Sequence, residues 1–359
     1  MSVRAIIIML LAVLAGGLAV PAASAQADVE APAAGYGFSQ GSMTYQLSPA
    51  DFNRELDAVA KTNAKWLRVA IDWSTVEATK GNYDWTVPDR VLASTAAHQL
   101  TPLILISTTP AWARQNSLPG VLGLSAPPSD PASLANFLKA FGQRYPGVNH
   151  YEIWNEPNLS LFWGLSTPDP VAYTRLLQAA YTAIKSFQPG DQSTVVVAGM
   201  SPGAGAVDFY TKMYAAGAKG YFDAAAMHPY VFPKGIDVVP NGWTETQQVR
   251  SVMVANGDAN KPIWLTEMGV ATKQNGAADT GSLNSGIPGL GTDQMVSQQE
   301  QATQILSVFK AAKDSGYCGP AFIYSIRDAG TDPTSREDNF GALLTNDWQP
   351  KYTASVLAR

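Results

Sequence analysis

Beyond residue 34 the chain alternates short, almost wholly apolar runs with longer stretches whose apolar residues recur every three to four positions. The short runs suit strands buried on both faces, and the long ones suit helices with a single apolar stripe. In order, the pattern predicts a strand over 35–41, a helix over 48–63, a strand over 65–72 and a helix over 87–98. A strand over 102–108, a helix over 133–144, a strand over 150–156 and a helix over 170–187 follow. Then come a strand over 194–200, a helix over 206–216, a strand over 222–228 and a helix over 245–256. The series ends with a strand over 262–269, a helix over 294–315, a strand over 320–326, a long loop and a short terminal helix. Strict alternation of this kind, with apolar strands, predicts an all-parallel sheet covered by helices. Eight such units predict an α/β fold, a closed (β/α)8 TIM barrel forming one domain. A doubly wound open sheet is the alternative. It opens with a glycine-rich nucleotide fingerprint, and none follows the first strand here.

The N-terminal residues stand apart from this pattern. Arg4 precedes an apolar run over 5–20, and Ala23, Ser24 and Ala25 fit the small-x-small pattern of a secretory cleavage site. Residues 1–25 are therefore read as a signal peptide and 26–359 as the barrel domain. The apolar run is short for a membrane anchor, and no later segment is apolar enough to span a bilayer. The expected mature protein is secreted, to the extracellular space or the cell envelope, with no stable membrane insertion after cleavage. Cys318 is the single cysteine, so no intramolecular disulfide is possible, and it reads as a small buried residue opening a strand. With 24 basic against 29 acidic residues and a net charge of −5, nucleic acid is not an expected partner. Of the nine tryptophans and fourteen tyrosines many must simply be core, but flat rings in a cleft are also how proteins hold sugars.

A barrel gathers its chemistry at the C-terminal ends of its strands. Arg68 and Asp72 lie on or just past the second, Trp112 follows the third, and Asn155 and Glu156 end the fourth. His228 and Tyr230 end the sixth, Glu267 ends the seventh, and Tyr324, Arg327 and Asp328 sit at or past the end of the eighth. In YEIWNEPN an apolar strand runs straight into an amide, a carboxylate and a proline. A carboxylate there costs stability unless it is paired. Held partly out of water, such a group is also suited to delivering a proton near neutral pH. A single strand-end glutamate is more often solvated or salt-bridged than reactive. Two, on strands four and seven, face each other across the barrel mouth, and a pair about 5–5.5 Å apart performs retaining glycoside hydrolysis. One carboxylate attacks, while the other protonates the leaving oxygen and then deprotonates water.

The sequence resembles the clan A glycoside hydrolases, whose catalytic carboxylates end strands four and seven. The likeness lies in EIWNEPN, with Glu156 in the acid/base place, and in WLTEMG, with Glu267 in the nucleophile place. WLRVAIDWSTVEATKGNYDW followed by PAWA is similar to families 39 and 42 and to exopolysaccharide endoglycosidases. EDNFGALLTNDWQPK resembles the closing segment of family 39-like and family 5-like members. By this resemblance Arg68, Asn155, His228 and Tyr230 belong to the active site. Many clan members carry a tryptophan platform on strand eight; FIYSIRDAG leaves Tyr324 or the Arg327–Asp328 pair to replace it. Trp112 and Trp163 are candidates for stacking on sugars at flanking subsites, with loop packing the alternative. Trp66 and Trp264 read as core, and Trp73 as either.

Competing chemistry fits less well. AGMSPGAG matches G-x-S-x-G, but Pro202 after Ser201 has no N–H for an oxyanion, and no histidine follows His228. His98, His150 and His228 fall on different units, and the acidic residues of 272–293 match no calcium-loop spacing, so no metal or cofactor is expected. The expectation is an enzyme, a secreted retaining O-glycoside hydrolase cleaving an equatorial, β-type bond in a polysaccharide or oligosaccharide, endo-acting by preference. The rivals are a sugar-binding barrel without catalysis, a transglycosylase and an exo-acting β-glycosidase.

Overall fold

The computed structural model describes residues 29–40, 44–114, 121–187, 192–273 and 295–359. The signal-peptide reading and nearly all of the 272–293 loop lie outside the described residues. Eight strands form one sheet: β1 Tyr36–Ser39, β2 Trp66–Asp72, β3 Thr101–Ser107, β4 His150–Asn155, β5 Thr194–Gly199, β6 Ala225–Met227, β7 Ile263–Met268 and β8 Cys318–Tyr324. They pair in parallel in the order β5-β4-β3-β2-β1-β8-β7-β6. The remaining seam, β5 to β6, closes through the parallel bridges Val196–Ala224 and Met200–Met227. The sheet is thus a (β/α)8 barrel.

The helices are α1 Pro49–Val59, α2 Trp73–Val76, α3 Thr86–Ala97, α4 Val121–Leu124, α5 Pro131–Arg144, α6 Pro170–Phe187, α7 Ala206–Ala215, α8 Gly242–Ala255, α9 Gln298–Ser315 and α10 Tyr352–Val356. Their ends follow local chemistry. Ser48 caps α1 through the Asp51 N–H, Asp130 caps α5 ahead of Pro131, and Ser297 caps α9. That last cap starts α9 at Gln298, later than the predicted 294. β6 is also shorter than its predicted 222–228. Asp223 spends its carboxylate on the Val195 N–H (2.7 Å) and on Lys185 (3.0 Å), so the chain reaches the ladder only at Ala225. The one-turn α2 and α4 were not predicted. Asp72 nucleates α2 by accepting from the Thr75 N–H and from Ser74 Oγ.

Two apolar layers hold the barrel. Outward-facing strand residues such as Val69, Ile106, Ile153 and Val197 are buried under the helices. Inside, Leu103, Val196, Ala226, Trp264 and Phe322 fill the N-terminal half, with Trp66 packed against them. The Trp66 ring lies 5.3 Å from Trp264 and 4.8 Å from His150, so this end is plugged by aromatic rings and His150 serves packing there. Trp264 is core, as expected, and Trp66 is half-buried against it. One register step further along, the interior turns polar at Arg68, Glu152 and Thr266, and the site opens above them.

Candidate active site

The end of β4 departs from ordinary strand geometry. Consecutive strand residues point to opposite faces, yet Asn155 and Glu156 both reach the barrel interior. Asn155 Oδ1 accepts from Arg68 Nη2 at 2.8 Å, and Glu156 Oε1 lies 2.9 Å from His228 Nδ1. The chain achieves this with positive φ at Trp154 (75°) and Glu156 (40°). Such conformations cost about 1–3 kcal/mol each and cluster where geometry matters for function. The outward Trp154 helps to hold the kink: its indole donates to the Phe162 carbonyl at 2.8 Å and its ring meets Trp163 edge-on. The Glu156 N–H donates to the Gly199 carbonyl at 3.0 Å.

Glu267, on β7, lies opposite. Its Oε1 accepts from Arg68 Nη1 at 2.6 Å and its Oε2 from the Tyr230 hydroxyl at 2.8 Å. His228 Nδ1 is 3.7 Å from Oε2. His228 therefore stands between the two glutamates, and the oxygens it touches are no farther apart than the sum of 2.9 and 3.7 Å. Both carboxylates are nearly enclosed: Glu156 is 8% exposed, and the Glu267 side chain 12%.

The electrostatics separate the groups. Burial alone would raise the Glu267 carboxyl, but His228, Arg68 and the Tyr230 hydroxyl together hold it below the ordinary carboxylate value. Burial opposes charge on His228, and the negative charge of Glu267 and Glu156 outweighs it, raising the imidazole above its ordinary value. Burial first, then Glu267, pushes the Tyr230 and Tyr324 phenols up, so both remain hydrogen-bond donors.

Beneath the pair lies Arg68, fully enclosed, with Ser39 Oγ at 3.0 Å and a two-pronged contact to Glu152 at 2.5 and 3.2 Å. Glu152 was missed in the sequence. Its signal is a lone carboxylate in an apolar strand, matched by a lone arginine in another, in KWLRVAID and HYEIWNE. Gly199 is required beside it: a Cβ there would lie 2.0 Å from His228 Nε2.

The sequence-predicted residues divide into two groups. Arg68, Asn155, Glu156, His228, Tyr230 and Glu267 meet in one cluster. Arg68, Asn155, Tyr230 and Glu267 are joined by hydrogen bonds, His228 bonds Glu156, and the two groups approach where His228 lies 3.7 Å from Glu267. Tyr324 borders it, its ring 5.3 Å from Phe340, which also packs on Tyr230. Arg327 does not join. Its guanidinium donates to Glu55 Oε1 (2.8 Å) and to the Asn346 carbonyl (3.0 Å) and lies over Trp348. Asp328 pairs with buried Lys351 at 3.0 Å. Of the two strand-eight replacements, Tyr324 is the one at the cleft. Trp163, a candidate for stacking with loop packing the alternative, takes the packing place: it is 3% exposed, wedged against Trp154 and Tyr173 where they cover the kinked end of β4. Trp112 is half-buried, its indole donating to the Glu77 carbonyl (2.8 Å) and Lys80 over its ring. Trp73 is core. Ser201 sits in a turn held by Asn158, which donates to its carbonyl (2.8 Å) and accepts from its N–H (3.1 Å). Among the described residues, no group of three or more His, Cys, Asp or Glu is arranged to hold a metal.

The arrangement presents an ionised carboxylate and a second carboxyl group to one enclosed space, with donors fixed around both. Solved structures of similar fold include a family 39 glycoside hydrolase from Bacteroides cellulosilyticus WH2, at 22% identity and TM-score 0.62, covering 92% of this chain and 64% of that one. A family 39 enzyme from Xanthomonas axonopodis pv. citri matches at 20% identity and TM-score 0.66, covering 91% of this chain and 66% of that one. A monomeric β-xylosidase from Caulobacter crescentus CB15 matches at 17% identity and TM-score 0.64, covering 92% and 69%. The chain thus spans about two thirds of the length of these proteins. No family model matches it, and no curated protein does. The resemblance drawn from the sequence is matched at the level of the fold.

Proposed function

We propose that this chain is a retaining glycoside hydrolase in which Glu267 is the nucleophile and Glu156 the acid/base. The observation that supports the reading is that His228 Nδ1 lies 2.9 Å from Glu156 and 3.7 Å from Glu267, so both carboxylates enter one enclosed space at a separation compatible with the spacing of about 5–5.5 Å that double displacement needs. Glu267 attacks the anomeric carbon as a carboxylate. Arg68 and Tyr230 aim its two oxygens and keep it ionised. Glu156 gives its proton to the departing glycosidic oxygen, and a covalent glycosyl–enzyme results. Glu156 then takes a proton from water, which attacks the same carbon and frees Glu267. Asn155, held by Arg68, is placed to bond the sugar 2-hydroxyl. The Tyr324 ring borders the sugar at the cleavage point.

The substrate we infer is an equatorial, β-type glycoside of a polysaccharide or oligosaccharide, met outside the cytoplasm after removal of residues 1–25. The buried Trp163 removes one of the two flanking rings that favoured endo action. An exo-acting β-glycosidase is therefore the second reading, and the similarity to a β-xylosidase supports it. Proton NMR of the first-formed product from aryl β-glycosides and β-linked oligosaccharides tests the mechanism. Net retention of the β-anomer is expected, and first-formed α-product would sink the double displacement.

A further inference from the structure

Glu152 is fully buried on β4, four residues before the proposed acid/base, with no exposed surface of its own. Its oxygens are surrounded by donors. Oε2 accepts from Arg68 Nε at 2.5 Å. Oε1 accepts from Arg68 Nη2 (3.2 Å), the Gly199 N–H (2.9 Å) and Thr266 Oγ1 (2.9 Å). Each of these donors leads directly to the chemistry. Arg68 holds Glu267 and Asn155. Gly199 accepts from the Glu156 N–H and packs its Cα against His228 Nε2. Thr266 precedes Glu267 in β7.

Stability is a poor explanation for this arrangement. A buried ion pair is often matched or bettered by well-packed apolar residues, because desolvation offsets the attraction. What Glu152 does supply is geometry and charge. The two-pronged contact fixes the guanidinium plane, leaving Nη1 aimed at Glu267. It also divides the arginine's charge between two carboxylates. Facing a full, undivided cation, Glu267 would be a more stable anion and a poorer nucleophile.

We propose that Glu152 is a positioning residue for double displacement: it fixes Arg68 and Gly199, and through them both reacting glutamates, while sharing the arginine's charge so that Glu267 stays nucleophilic. The proposal rests on the glycosidase reading above. The groups facing Glu267 are Arg68 from β2, Glu156 from β4, His228 and Tyr230 from beyond β6, and Tyr324 from β8, with Glu152 acting through Arg68.

The test compares Glu152→Gln, Arg68→Met and the double variant in steady-state kinetics, alongside a carbon-13 titration of the Glu267 carboxyl. In Glu152→Gln, kcat is expected to fall by up to about 10²-fold, the scale of a misplaced reacting group, with KM close to native. The Glu267 carboxyl is expected to titrate at lower pH, because Arg68 then acts on it alone. In the Arg68→Met background the Glu152 substitution is expected to add only the smaller loss that acts through Gly199. Native kcat and native Glu267 titration in Glu152→Gln would overturn the proposal. So would a loss that repeats in full without Arg68 and leaves the titration unmoved, which is packing alone. Should Glu152→Gln fail to fold, Glu152→Asp keeps the charge and shortens the reach. Lower kcat with an unmoved Glu267 titration is then expected, and native kcat would overturn the proposal. The carbon-13 titration needs no substrate. A native protein that cleaves no glycoside therefore counts against the glycosidase reading, while an unmoved titration counts against the charge-sharing role of Glu152.

Discussion

At the residue scale, the two glutamates differ in surroundings, and the difference fits the roles proposed for them. Glu267 has two fixed donors and a neighbouring imidazole, whereas among the described residues the Glu156 carboxyl group is held through His228. Glu156→Gln is expected to lower kcat by about 10²–10⁴-fold on poor leaving groups, and by much less on activated aryl glycosides that need no proton. Glu267→Ala is expected to lose turnover and regain part of it with azide, releasing an α-glycosyl azide detectable by mass spectrometry. No rescue in a folded variant would count against Glu267 as nucleophile. The Glu267 carboxyl lies below its ordinary 4.5, so the acid limb of kcat/KM should fall below pH 4.5. Replacing Arg68 by Met removes a cation that favours the ionised form and should move that limb up. A limb unmoved by Arg68→Met would contradict the assignment.

Much of this cluster was legible because barrels place reactive residues at strand ends, so a linear list of strand termini already contains the site. Glu152 was not legible. Its partner Arg68 lies 84 residues away, and only the closed sheet brings them together. Trp163 stayed undecided in the sequence for a related reason: an aromatic residue in a rim loop reads the same whether it faces sugar or, as here, covers a strained strand end.

At the element scale, the long apolar strands and capped helices were readable to within a few residues, because burial on both faces leaves a continuous Val/Ile/Leu signature. The exceptions are places where side chains take over backbone roles. Asp223 shortens β6, and Asp72 starts α2. The aromatic plug at the opposite end is an element-level device that should be separable from chemistry. Trp264→Ala opens a cavity among Trp66, His150 and Phe322 and is expected to cost about 3–5 kcal/mol of stability. Denaturant melts would check this, with the pH profile of the surviving activity unchanged. A profile that moved with the melt would show that the plug and the site are not independent.

At the scale of the whole molecule, the barrel concentrates opposed charges in an enclosed centre, and folding stability must feel them. Glu267 is depressed relative to the unfolded chain. Its stabilising contribution is present above about 4.5 and is lost as pH falls through the folded value. His228 is raised. Its contribution is present below about 6.5 and is lost as pH rises through its folded value. The difference in melting temperature between the native protein and Glu267→Gln should therefore narrow below about pH 4.5, while that between native and His228→Gln should narrow on the alkaline side. Differences that stay constant with pH would contradict both shifts.

The most direct measurement is reducing-end release by the protein from a broad set of β-linked polysaccharides and oligosaccharides, with folded Glu267→Gln alongside. Release by the native protein and none by the variant is the predicted result, and it would name the substrate class as well. Equal release by both would contradict Glu267 as nucleophile. Binding to one polymer without release would replace hydrolysis by a sugar-binding barrel.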